Sequence, residues 1–79
     1  MPKLPTINGK QLVKYLESIN FKIIRKKGSH VRLKAVDGKI TTVPLHGKKD
    51  IPKGLLRKII REDLEMGFEE FVEKYLKLK

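Results

Sequence analysis

Residues 30–43 read HVRLKAVDGKITTV, and the first seven of them decide the fold. Val31, Leu33 and Ala35 alternate with His30, Arg32 and Lys34, the period of two that puts one set of side chains in a core and the other in water. Asp37-Gly38 follows as a hairpin signal and predicts a two-residue type I′ turn into a second strand over residues 39–43. In that strand the inward set is open between Ile40/Thr42 and Thr41/Val43. Pro44 is expected to stop the ladder, because proline offers no N–H to a neighbouring strand.

Working outward, Gly28 breaks the chain before His30, and residues 21–27 read as a first strand with Phe21, Ile23 and Ile24 as its apolar members. Ahead of it, Leu12, Val13, Leu16 and Ile19 recur near helical spacing behind Asn8 or Thr6 as cap, and Asn20 ends the helix. On the other side, residues 45–50 form a loop, and Pro52 suits the first turn of a second helix with Leu55, Leu56, Ile59 and Ile60 as its buried stripe. After Gly67, the residues Phe68, Phe71, Val72, Tyr75 and Leu76 predict a closing helix with Glu69, Glu70 and Glu73 in its first turns. The fold class is α+β: a three-stranded antiparallel sheet with helices on one face, in the order α-β-β-β-α plus a C-terminal helix over residues 67–79. One domain, residues 1–79, is expected, with no repeat or linker.

The 79 residues carry a net charge of +10 and no cysteine, which excludes a disulfide framework and a thiolate zinc site. Charge is concentrated in the middle of the chain. Residues 22–61 hold 13 of the 19 Lys and Arg with only Asp37 and Asp50 as acids, whereas residues 62–79 are net acidic. Such a field favours a polyanion, since each phosphate neutralised by a cation releases condensed counterions. The cations fall on strands and loops and not along one face of a long helix, so a membrane surface is not the expected partner. No apolar block resembles a signal peptide, and the expected location is the cytoplasm.

His30 stands on the same strand face as two cations, and an imidazole with a pKa near neutrality is suited to moving protons on a phosphodiester. Arg25, Lys26, Lys27, Arg32, Lys34, Lys48 and Lys49 read as phosphate contacts. Gly28 lets the backbone approach a phosphate, Ser29 has a hydroxyl to donate, and His46 either orients substrate or joins strand to helix. A divalent-metal nuclease needs clustered carboxylates, but Asp37 belongs to a turn and Asp50 to a helix entrance, so neither a metal nor a cofactor is expected. The residues by themselves are equally those of a non-catalytic RNA-binding module, or of a basic adaptor for an acidic protein.

The helix end Ile19-Asn20-Phe21, the run from Arg25 to His30, the Asp37-Gly38 turn, the run from Val43 to Gly47 and the segment from Lys53 to Ile59 together resemble the HicA-type toxins of toxin–antitoxin pairs. The likeness covers roughly residues 8–76. It implies a double-stranded-RNA-binding-like fold, cleavage of mRNA as an mRNA interferase, neutralisation by a HicB-type antitoxin, and His30 as the catalytic histidine. The chain departs from the family pattern at Val31, where many members carry a second histidine, and in continuing past the second helix.

Overall fold

The computed structural model describes residues 6–47 and 49–78. Helix α1 spans Gly9–Ser18. The Asn8 side chain accepts from the Gln11 N–H at 2.9 Å while the Gln11 side chain accepts from the Asn8 N–H at 3.0 Å, a reciprocal box that satisfies two of the helix's unpaired donors. Asn20 ends it in the left-handed region at φ +75°, a conformation Asn tolerates better than most residues.

Strands β1 (Phe21–Lys27), β2 (His30–Ala35) and β3 (Ile40–Pro44) form an antiparallel sheet in that order, with β2 in the centre. Helix α2 (Lys53–Lys58) runs directly into a π-helical turn, Ile59–Asp63, and helix α3 (Phe68–Leu78) closes the chain. Outside the sheet, Asn8 pairs with Asp50, and the Ile51 N–H donates to the Ile7 carbonyl at 2.8 Å. The entrances to α1 and α2 are thereby tied side by side.

Alternation along β2 is as expected: Val31 and Leu33 are buried and His30, Arg32 and Lys34 are exposed. In β3 the inward pair is Thr41 and Val43. Register fixes this, because Leu33 lies opposite Thr41 and Val31 opposite Val43, and directly opposed residues share a face. Thr41 carries a hydroxyl into the core, where it donates to the Asp63 carboxylate at 2.8 Å, as a buried polar group requires.

Several expectations are corrected. The β2–β3 connection is a three-residue loop, Val36-Asp37-Gly38, and not a two-residue type I′ turn: the Gly38 N–H donates to the Ala35 carbonyl, and the Ala35 N–H donates to the Lys39 carbonyl. Only Gly38 takes a positive φ, +97°, so the chain meets the strand twist without forcing Asp37 into the left-handed region. The Asp37 carboxylate accepts from the Lys39 N–H instead. The ladder does end at Pro44, which is itself the last residue of β3 and is tolerated there because β3 is an edge strand.

Ile23 and Ile24 are 46 % and 51 % exposed. A register shift between Ile23 and Arg25 bulges the edge strand at this point, and of β1 only Phe21 is buried. Leu55 is exposed too, because the buried stripe of the second helical segment is Leu56, Ile59 and Ile60. On α3, Phe71 and Tyr75 are buried, Phe68 and Val72 partly so, and Leu76 is exposed.

The core lies between the sheet and the helices and draws on every element, from Ile7 to Tyr75. Tyr15 of α1 is its fully buried aromatic centre, edge-on to Phe71 at 4.9 Å and 6.1 Å from Tyr75. Its hydroxyl reaches the Met66 sulfur at 3.5 Å. Burial, with the Glu70 charge adding to it, pushes the Tyr15 phenol up to about 12. No helix among the described residues is long and apolar enough to cross a membrane.

Candidate nucleic-acid site on the open sheet face

With the helices on the inner face, the outer face of the sheet carries His30, Arg32 and Lys34 in its central strand. Register supplies their neighbours. Lys27 of β1 lies opposite His30, Arg25 opposite Arg32, and Lys22 opposite Lys34. On the other flank, β3 sets Pro44, Thr42 and Ile40 opposite the same three residues. Five cations and one imidazole therefore stand on three alternate rungs of the ladder.

Arg25, Lys27, His30, Arg32 and Thr42 line a shallow open depression of about 210 Å³. Through Arg32 and Thr42 it continues into a wider groove of about 430 Å³ between β3 and α2, where Ile40, Leu55, Lys58 and Asp63 also contribute to the walls. Sequence reasoning missed Thr42 and Lys58. Thr42 becomes legible once the inward set of β3 is known, and Lys58 only once α2 is seen beside the β3 edge.

The turn before His30 is tight and open to solvent at Gly28. Gly28 takes φ +56°, which a two-residue hairpin needs at its first central position, and a Cβ there would meet nothing within 4 Å. The Ser29 carbonyl accepts from the Leu45 N–H, joining this turn to the segment that leaves β3. His46 follows directly, and its ring lies edge-on to that of His30, with centroids 6.3 Å apart and planes at 83°. Both imidazoles are exposed.

The remaining expected contacts divide. Lys34 shares the face one rung beyond Arg32, and Lys49 is exposed in the His46 loop, its N–H donating to the His46 carbonyl at 3.1 Å. Lys26 lies opposite buried Val31, so the ladder points it to the helix side, at the open edge of the sheet. Lys48 lies outside the described residues. Val31, the position of the second histidine in many HicA-type toxins, belongs to the core and not to this site.

Among the described residues the ion pairs all lie elsewhere. Lys39 pairs with Asp37 at 3.3 Å and Glu65 at 3.9 Å, and Glu70–Lys74 and Glu73–Lys77 are one-turn pairs on α3. The Lys39 backbone N–H, and then its ammonium, hold the Asp37 carboxyl below the usual carboxylate range. Among the described residues no carboxylate is paired with the outer-face cations, so their field is available to an incoming anion. Among the described residues no three His, Cys, Asp or Glu side chains gather into a metal-holding group.

The family described as HicA toxin of bacterial toxin-antitoxin matches residues 9–64, more than half of the chain. The match runs from the first residue of α1 to the end of the π-helical turn and stops short of α3. No curated protein matches the chain.

Proposed function

The chain belongs to the HicA toxin family, the toxins of bacterial toxin–antitoxin systems, and we propose that it acts in the cytoplasm as a metal-independent mRNA endoribonuclease with His30 as its proton-transfer residue. The observation that carries this reading is the placement of His30 among Arg25, Lys27 and Arg32 in one open depression. Cleavage without a metal requires a proton acceptor for the ribose 2′-OH and positive charge beside the phosphorane that forms as the 2′-oxygen attacks phosphorus. The imidazole supplies the first, and the three cations the second.

RNA is held by the same face. Arg25, Lys27, Arg32 and Lys34 meet phosphates, Lys26 and Lys49 extend the field along the rim and loop, Lys48 adds its charge to it, and Gly28 and Ser29 let the backbone come close to the scissile group. The carboxylates of Asp37 and Asp63 are engaged with Lys39 and Thr41, which favours acid–base chemistry over a carboxylate-held cation. The cognate antitoxin is of the HicB type and neutralises the protein by covering His30 and the cations around it, which excludes RNA from the same surface. Residues 1–79 work as one domain.

The test is incubation of the purified protein with single-stranded mRNA in EDTA, beside His30→Ala with its fold checked by circular dichroism. Cleavage by the native chain alone is the expected result. Equal binding and no cleavage by either would leave an RNA-binding module, and cleavage lost in EDTA would overturn the metal-independent chemistry.

A further inference from the structure

In-line displacement at phosphorus sets the attacking and leaving oxygens on opposite sides of the phosphate, so one imidazole cannot take a proton from the first and give one to the second in the same step. Acid–base catalysis of both halves of the step calls for a second proton-transfer group near His30, a side chain or a water. The carboxylates of Asp37 and Asp63 are engaged in the β2–β3 turn and at the Thr41 hydroxyl. His46 does stand near, although it lies sixteen residues further along the chain.

Its position is enforced by backbone. The Ser29 carbonyl holds the Leu45 N–H on one side. On the other, Gly9 packs so closely on this segment that an added Cβ would collide with the Pro44 carbonyl oxygen and lie 2.7 Å from the Leu45 side chain. The segment carrying His46 is thus clamped between the hairpin turn and the start of α1. With hydrogen-bond reach of about 3 Å from each ring, centroids 6.3 Å apart let one phosphate group touch both imidazoles.

Resting on the ribonuclease reading, we propose that His46 is the second catalytic residue, the general acid that protonates the leaving 5′-oxygen while His30 acts as the base. His30 lines the cationic depression, where positive charge favours the neutral, proton-accepting imidazole, and His46 stands beside it outside that lining. The 2′-oxygen gives its proton to His30 and bonds to phosphorus. The bond from phosphorus to the 5′-oxygen breaks, and that oxygen takes the proton of His46. A 2′,3′-cyclic phosphate and a 5′-hydroxyl result, and exchange with water restores the two histidines.

Two RNA substrates that differ only in a sulfur at the scissile 5′-bridging position test this, because a thiolate leaves without needing a proton. His46→Ala is expected to lose about 10²- to 10⁴-fold on the oxygen substrate and to return within a few-fold of the native rate on the sulfur substrate. His30→Ala stays slow on both. Equal loss on both substrates, or no loss on either, would overturn the role of His46 while leaving the ribonuclease reading intact. Rescue of His30→Ala in place of His46→Ala would overturn the assignment of acid and base. If the native chain cleaves neither substrate, the ribonuclease reading falls and this proposal with it.

Discussion

Strand β2 presents two surfaces made from neighbouring residues. On one side Val31 and Leu33 disappear beneath the helices, and on the other His30, Arg32 and Lys34 stand in water with no carboxylate partner among the described residues. Such a strand cannot shift its register in small steps: a slip of one residue exchanges the two sets completely. The inner face therefore fixes the outer one. Packing of apolar groups that never meet a ligand is what holds an imidazole and a group of mutually repelling cations in one place.

If that division is sound, the two faces separate in experiment. The largest stability effect is expected for Leu33→Ala, which removes a fully buried side chain from the central strand and costs about 2–5 kcal/mol. Chemical denaturation measures it, and a loss below about 1 kcal/mol would break the comparison. On the opposite face, His30→Ala is expected to lower cleavage by about 10²- to 10⁴-fold while moving stability by no more than about 0.5 kcal/mol, as exposed positions do.

Thr41→Val sharpens the boundary between the faces. It keeps the shape of a buried residue but removes the hydroxyl that holds Asp63 at 2.8 Å, and is expected to cost about 1 kcal/mol by thermal or chemical unfolding. The core also has a pH signature of its own. Tyr15 is held neutral when folded and titrates near 12, against an ordinary value of 10. Its contribution is present below pH 10 and is lost as pH rises toward 12, so the melting temperature falls in that window and Tyr15→Phe falls less steeply. Smallest is Arg32→Ala, expected to weaken RNA binding only a few-fold, lower the slope of log K against log salt by about 1, and leave the melting temperature unchanged.

The sequence reveals these regions unequally. Alternation from Val31 to Ala35 announces the central strand because a centrally placed, half-buried strand has the period of the sheet itself. Ile23 and Ile24 mislead, since apolar character does not report that a strand lies at an edge and carries a bulge. Asp37-Gly38 signals a hairpin correctly but leaves its length open, because a three-residue loop ending in glycine uses the same pair of residues. The π-helical turn and the burial of Tyr15 depend on contacts between distant segments, which no local pattern encodes. For the site, His30, Arg32 and Lys34 follow from alternation, whereas the approach of His46 rests on long-range contacts, the backbone hydrogen bond between residues 29 and 45 and the packing of Gly9 on the same segment.

The most direct test of the central claim is a map of backbone amide shifts when the full chain binds RNA whose 2′-hydroxyls are methylated, so that binding proceeds and cleavage cannot. The account expects the largest changes on Arg25, Lys27, His30, Arg32, Thr42 and His46, with α1 and α3 nearly silent. Changes centred on α1 and α3, with the outer sheet face unmoved, would contradict it.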